Sequence, residues 1–385
     1  MKKKIFILIF VFITTMSVLL ANNNNTEADP DLVFDAFNEV FAYILNYHTD
    51  ENKVEDILRG AMRGMVDSLD VYSEYLTLEQ YEAMQEEYEG YFGGIGIIIT
   101  PELTIVSPIR GTPGEAAGLQ TDDHIIAIDG KSTEDLSQSE GVDLMRGEPG
   151  TEVTLTIRRD SLDETFEVTI IRDDIQIPYV EWEMKTEEIG YISVAQFVQN
   201  VGAEVETAIK ELEAEGAKAL ILDLRSNPGG LLNEAIDVGS SFLNDKDIVA
   251  VRSRIGADQT YRTTSNIYTT DLPLLLMINQ GSASGSEIVA GAIQDYNRGI
   301  LFGKKSFGKA TVQSLFPLVD GSALKLTTAQ YYTPFDRNIH EKGIDVDVEV
   351  DFDPDYDGDN QLDEAIQYIK ENILNNYIDI EEIAS

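Results

Sequence analysis

Residues 273–296 read PLLLMINQGSASGSEIVAGAIQDY. The apolar run Pro273 to Gln280 has the length of a buried strand, and Glu287 to Tyr296 spaces its apolar residues as a helix does. Ser282, Ser284 and Ser286 therefore fall in a strand-to-helix turn. Such a turn exposes a hydroxyl while the helix N-terminus aims N–H groups at a developing oxyanion. Further on, Ser306-Phe307-Gly308-Lys309 sits between apolar Ile300-Leu301-Phe302 and a β-prone run. Ser284 and Lys309 together offer a nucleophile and a base without histidine, which points to hydrolytic chemistry. A lysine at its ordinary pKa of ~10.4 stays charged, and bringing it to ~7 by desolvation costs roughly 4.6 kcal/mol, so the base needs a dry pocket. Ser284 also has a structural reading, because Ser284-Gly285-Ser286-Glu287 matches the capping box that opens many helices.

Flanking segments extend this picture. Asp223-Leu224-Arg225-Ser226-Asn227-Pro228-Gly229-Gly230 joins a strand from Ala219 to a helix over Leu231 to Leu243. The N–H groups of Gly230 and Gly285 are candidate oxyanion donors, although glycine and proline serve an ordinary connection equally well. Gln313 follows Lys309 by four residues and is the candidate to hold its amine; in a straight strand the two stand ~13 Å apart, so contact requires a bend or a helical turn. Strands and helices alternate from Pro178 to Val350, the pattern of an α/β core.

Residues 91 to about 173 differ in character. Short β-type runs such as Gly96 to Thr100, His124 to Ile128 and Val153 to Ile157 are separated by turn signals, giving a small, mostly β module. Residues 31–90 are helical in pattern, with Val33, Phe34, Phe37, Val40, Phe41, Ile44 and Leu45 as a packing stripe. Residues 22–30 form a polar tether. Residues 1–21, three lysines followed by the uncharged run Ile5 to Ala21, read as a signal peptide or an uncleaved membrane anchor, which predicts an extracytoplasmic protein, anchored or secreted.

Composition removes several function classes. With 28 basic against 69 acidic residues the net charge is -41, which repels nucleic acid and, beyond the tether, anionic lipid. The chain has no cysteine, so disulfides, thiol catalysis and cysteine-held metals are excluded. His48, His124 and His340 lie in three different regions with no ligand-spaced pair, so no metal or other cofactor is expected, and a Ser-His-Asp triad using His340 is a minor alternative. The stretch Asp353 to Glu364 fits the spacing of a calcium loop. The strand-like run before it, and Asn360 where an aliphatic residue is usual, favour an acidic solvated turn instead. Residues 351–385 then end in a helix whose stripe Leu362, Ala365, Ile366 and Ile369 suits a core or a second copy, so a homo-oligomer is compatible with the chain.

Taken in order, six segments resemble the carboxy-terminal processing peptidases, or tail-specific proteases, over about residues 31–369. They are Gly64-Met65 with Leu69-Asp70, Phe92-Gly93-Gly94-Ile95-Gly96-Ile97, Arg146-Gly147-Glu148-Pro149-Gly150-Thr151, the Leu222 to Gly230 run, Gly281-Ser282-Ala283-Ser284, and Gly321 to Thr327. The resemblance implies a crotonase-like α/β peptidase core over residues 174–350 with an inserted PDZ domain over 91–173. It implies Ser284 as nucleophile, Lys309 as general base, Gln313 as its positioning partner, and Gly230 and Gly285 as oxyanion donors. Gly94, Ile95, Gly96 and Ile97 would capture the terminal carboxylate of a protein or peptide substrate with an apolar C-terminus. Arg146 has two readings, a link between docking and catalysis or a surface arginine that steadies a turn. The implied activity is that of a serine endopeptidase; a non-catalytic tail-binding scaffold on the same fold is the alternative, and an esterase or amidase a third reading. Three departures stand out: Gly285 where the family usually has alanine, Ala310 where it has glycine, and Thr121-Asp122-Asp123 in place of Pro-Gly-Asp, the last expected to affect stability more than binding.

Overall fold

The computed structural model describes residues 29–50, 53–109, 111–134, 136–162, 164–176 and 178–375. The signal or anchor segment 1–21 lies outside these residues, and no described helix is long and apolar enough to cross a membrane. The chain divides into two compact units, one ending at Tyr75 and one starting at Leu76.

The first unit holds two helices, Pro30–Tyr47 and Val54–Asp67. Asp29 starts the first by accepting the Asp31 N–H at 3.1 Å, the usual service of an acidic cap to otherwise unpaired donors. Of its apolar packing stripe, Val33, Phe37, Val40 and Leu45 are exposed.

In the second unit a six-stranded sheet carries the core. Its strands run in the order Val180–Met184, Ile189–Val194, Ala219–Asp223, Leu274–Ile278, Gly299–Gly303 and Val348–Glu349. The first pair is antiparallel and every later pair parallel. Strand alternation divides the apolar residues between two layers. Leu220, Leu222, Leu274, Leu276 and Ile278 face helices Val201–Glu215, Leu232–Ser240 and Gly285–Asp295. Ala219, Ile221, Leu275 and Met277 face Leu362, Ala365 and Ile369 near the C-terminus. A strand buried on both faces is continuously apolar, which is why Leu274–Ile278 was legible. A second, antiparallel sheet pairs Thr311–Pro317 with Ala323–Tyr332, and that strand with Asp247–Ser253.

The small β module has its own core of Ile95, Ile105, Ile125, Ile128, Val153, Leu155 and Ile157. Its strand Glu152–Arg158 buries every second residue, as period-two patterning requires. The departing turn is stabilised in an unforeseen way. Asp122 takes a left-handed φ of 67°, and buried Asp123 accepts Arg159 Nε at 2.6 Å, Arg159 Nη2 at 2.7 Å and the Gln120 N–H at 2.8 Å. Burial opposes the charge, but the Arg159 and backbone bonds outweigh it and hold the Asp123 carboxyl below the usual carboxylate range.

Candidate active site

The site forms where parallel strands end, the position at which open α/β sheets present loops to ligands. Ala219–Asp223 runs into the Asn227–Gly230 turn, Leu274–Ile278 into Ser284, and Gly299–Gly303 into the loop that carries Lys309. Of the three serines in the strand-to-helix turn, Ser282 and Ser286 are buried and committed. Ser282 Oγ donates to the Leu224 carbonyl at 2.7 Å and Ser286 Oγ to the Asn227 carbonyl at 2.9 Å. Ser284 alone is partly accessible. Its φ of 51° and ψ of -111° lie outside the ordinary regions for an L-residue, a strained conformation typical of a sharp turn that lifts a side chain clear of the sheet.

The helix begins at Gly285, two residues before its sequence-predicted start, so Ser284 is its N-cap. The capping reading and the nucleophile reading of Ser284 therefore describe the same position. Glu287 does more than cap. Its carboxylate, fully buried, accepts the Ser284 N–H at 3.0 Å and the Lys309 N–H at 2.8 Å on one oxygen. On the other it accepts Ser306 Oγ and the Gly308 N–H, both at 2.6 Å. The backbone nitrogens of Ser284 and Lys309 are thus less than two hydrogen-bond lengths apart. The buried phenol of Tyr331 closes the same knot, lying 3.1 Å from the Ser284 carbonyl, 3.3 Å from Glu287 Oε2, and against the Lys309 carbonyl.

Lys309 is half-buried. Burial lowers its pKa, the Lys325 charge lowers it further, and Glu287 acts in the opposite sense. This is the direction a general base near neutral pH requires. The strand register shifts between Val312 and Gln313. Gln313 Nε2 donates to Thr311 Oγ1 at 2.9 Å and Thr327 Oγ1 at 3.3 Å.

The oxyanion candidates follow from peptide-plane geometry, in which N–H and C=O point in opposite directions. The Gly229 carbonyl accepts the Phe197 N–H at 2.9 Å, and the Ser284 carbonyl accepts the Glu287 N–H at 2.9 Å. The Gly230 and Gly285 N–H groups point away from these bonds, and neither has a backbone acceptor among the described residues. Gly229 brings the two turns together. A Cβ there would lie 2.6 Å from Ser284 Cβ and 2.9 Å from the Gly285 nitrogen, and its φ of 102° suits glycine. At Gly285 a Cβ would meet the Phe197 ring at 2.9 Å. The alanine usual at that position therefore needs the ring to shift.

His340 is poorly placed for a triad, since its Nδ1 is buried with no hydrogen-bond partner among the described residues, whereas a triad imidazole is oriented through that atom. No group of three or more metal-ligating side chains occurs among the described residues.

In the β module, the Ile95 carbonyl accepts the Gly114 N–H at 2.7 Å, and the Gly96 carbonyl accepts the Ile109 N–H at 3.0 Å and Thr112 Oγ1 at 2.9 Å. By the same peptide-plane rule the Gly96 and Ile97 N–H groups face away from these partners. Among the described residues Ile97–Ile99 pairs with Ile105–Pro108 on one edge only. Ile95 is buried and Ile97 half-buried. Arg146 lies with its guanidinium 4.8 Å from the Phe92 ring centre.

Comparison with known proteins identifies this arrangement. The Peptidase family S41 model matches residues 188–350, and a PDZ domain model matches residues 83–170. The chain is 37% identical over 357 residues to the carboxy-terminal-processing protease of Bartonella bacilliformis, spanning 90% of this chain and 82% of that one. The chain belongs to the carboxy-terminal processing proteases of family S41. This protease is also 36% identical over 339 residues to the carboxy-terminal processing protease CtpA of Bacillus subtilis, covering 87% and 72% of the two chains. Its fold matches that of the photosystem II D1 C-terminal processing protease with a TM-score of 0.50 at 25% identity, covering 84% of this chain and 94% of that one. The protease is accordingly a serine peptidase with an α/β core and a PDZ domain, as the sequence resemblance implied.

Proposed function

We propose that this peptidase cleaves protein substrates outside the cytoplasm with a Ser284/Lys309 dyad, after its PDZ domain has captured an apolar C-terminus. Ser284 Oγ attacks the scissile carbonyl and gives its proton to the Lys309 amine. The Gly230 and Gly285 N–H groups stabilise the oxyanion of the tetrahedral intermediate. Collapse breaks the C–N bond, and Lys309 passes the proton to the leaving amine. Water then attacks the acyl-serine, losing a proton to Lys309, which returns it to Ser284 as the acid product leaves. Gln313 orients the lysine amine across the strand bulge. In the PDZ domain the Gly96 and Ile97 N–H groups bind the terminal carboxylate, and the substrate tail adds along Ile97–Ile99. Three lysines followed by the uncharged run Ile5 to Ala21 support export.

One observation carries the dyad reading: a single buried Glu287 oxygen accepts the N–H of both Ser284 and Lys309. The test is degradation of a protein with an apolar C-terminus by wild type, Ser284→Ala and Lys309→Ala. We expect both variants to lose roughly 10⁴-fold or more in kcat. Cleavage that persists in both removes the dyad, and cleavage in no form favours the tail-binding scaffold.

A further inference from the structure

The guanidinium of Arg225 makes two paired contacts at once. Along one edge, Nε donates to Asp223 Oδ1 at 3.0 Å and Nη2 to Asp223 Oδ2 at 2.6 Å. Along the other, Nη1 and Nη2 donate to Asp359 at 3.0 and 2.6 Å, and Nη1 also donates to Gln361 Oε1 at 3.0 Å. Asp223 further accepts the Tyr191 hydroxyl and the Arg225 N–H, each at 2.9 Å. Planar forked contacts of this kind fix orientation as well as charge, and lysine cannot reproduce them. The Arg225 side chain is 15% exposed.

Arg225 opens the turn that ends at Gly230, whereas Asp359 belongs to the acidic stretch near the C-terminus. Asp359 also caps the Asn360–Tyr368 helix, accepting the Leu362 N–H at 3.1 Å. That helix buries Leu362 and Ala365 in the cluster that holds Ile221, Leu275 and Met277, beneath the strands leading to the oxyanion turn and to Ser284. Gln361 is anchored too, its Nε2 donating to the Val350 carbonyl at 2.8 Å.

We propose that Asp359 and Gln361 are positioning residues, which hold Arg225 and through it the Ser226–Gly230 turn, so that the Gly230 N–H stays aligned with that of Gly285 beside Ser284. Asp359, which stands at the seventh place of a calcium-loop pattern, serves an arginine there. Although burial opposes its charge, the Arg225 guanidinium keeps the Asp359 carboxyl below the usual range. The inference rests on the oxyanion role proposed for Gly230. A reacting geometry displaced by 1 Å loses ~100-fold in rate.

The test uses the full chain with Asp359→Asn, Asp359→Glu and, as a control in the same loop, Asp355→Asn. Active sites are counted with a serine-reactive fluorophosphonate, so unfolded protein does not enter the rates. Two quantities are measured: kcat and KM on a protein with an apolar C-terminus, and affinity for a peptide boronate, whose tetrahedral adduct on Ser284 needs the same N–H donors. We expect Asp359→Asn to lower kcat and boronate affinity in parallel by roughly 10- to 100-fold, short of the ~100- to 1000-fold for losing a donor outright. KM stays within about twofold, Asp359→Glu recovers part of the loss, and Asp355→Asn changes nothing. Wild-type kcat in Asp359→Asn overturns the inference, as does a fall in kcat with boronate affinity intact. Ser284→Ala separates the two claims: activity there sinks the Ser284 reading, whereas an inert Ser284→Ala beside a fully active Asp359→Asn sinks the positioning role alone.

Discussion

The turn that carries Ser284 and the Gly94–Ile97 loop of the PDZ domain, proposed to hold nucleophile and terminal carboxylate respectively, are both glycine-bearing, yet they are held in different ways. Around Ser284 the backbone is pinned by buried polar side chains: Glu287, Asn227, Ser282 and Ser286 are all fully buried, and Asn279 Oδ1 accepts the Ser226 and Gly281 N–H groups at 2.8 and 2.9 Å. Around Gly96 the backbone is held by other backbone and one threonine, with a strand edge beside it. Catalysis depends on fixed donor positions, so each one is over-determined. Docking a tail by strand addition asks for an edge that accepts many sequences.

That contrast is breakable, most severely at Glu287. Glu287→Gln exchanges one acceptor oxygen for a donor and leaves N–H groups facing it. We expect kcat to fall by ~100-fold with KM little changed, whereas an equal loss in KM would mean that Glu287 serves binding instead. The PDZ counterpart is Gly96→Val, since any Cβ there meets Thr112 at 2.3 Å and the φ is 72°. We expect KM for a protein with an apolar tail to rise about 10-fold, ~1.4 kcal/mol, with kcat on a short peptide unchanged; a collapse of kcat on the short peptide would erase the division of labour.

A milder probe is Lys325→Met. With Lys309 as the proposed base, activity rises with pH as its amine loses a proton; burial lowers that transition, the Lys325 charge lowers it further, and Glu287 pulls the other way. Removing the charge therefore moves the acid limb of the kcat profile to higher pH and leaves the alkaline plateau within about twofold. An acid limb that stays in place, or moves down, contradicts the electrostatic assignment. Asp123→Asn should have the smallest effect on chemistry: a PDZ domain melting roughly 5 °C lower in a thermal scan with kcat on a short peptide intact. Because the folded pKa of Asp123 is depressed, its stabilisation is fully present above the unfolded value near ~3.9 and is lost as pH falls through the folded one. The wild-type PDZ domain should weaken there, and Asp123→Asn should not.

The α/β alternation, the β module and the turn carrying Ser284 were all legible, because each rests on local periodicity and on glycine placement. The start of the helix after Ser284 was misjudged by two residues, since the capping pattern marks a neighbourhood and the chain's φ and ψ decide the residue. The stripe of the first helix is legible as a packing surface, but several of its members are exposed, because spacing alone does not name a partner. Tyr331 gave no signal in Gln330-Tyr331-Tyr332, as nothing local tells which of two tyrosines turns inward.

The order of residues along this protease determined which chemistry is available: a serine in a strand-to-helix turn, a lysine in a polar loop and a family motif set. Only the tertiary structure decided that Glu287 would join Ser284 to Lys309 and that Asp359 would reach Arg225. Local propensity acts within a turn or two of the chain. Contacts between residues separated by twenty to more than a hundred positions exist only once the strands of the sheet have paired and brought their C-terminal ends together.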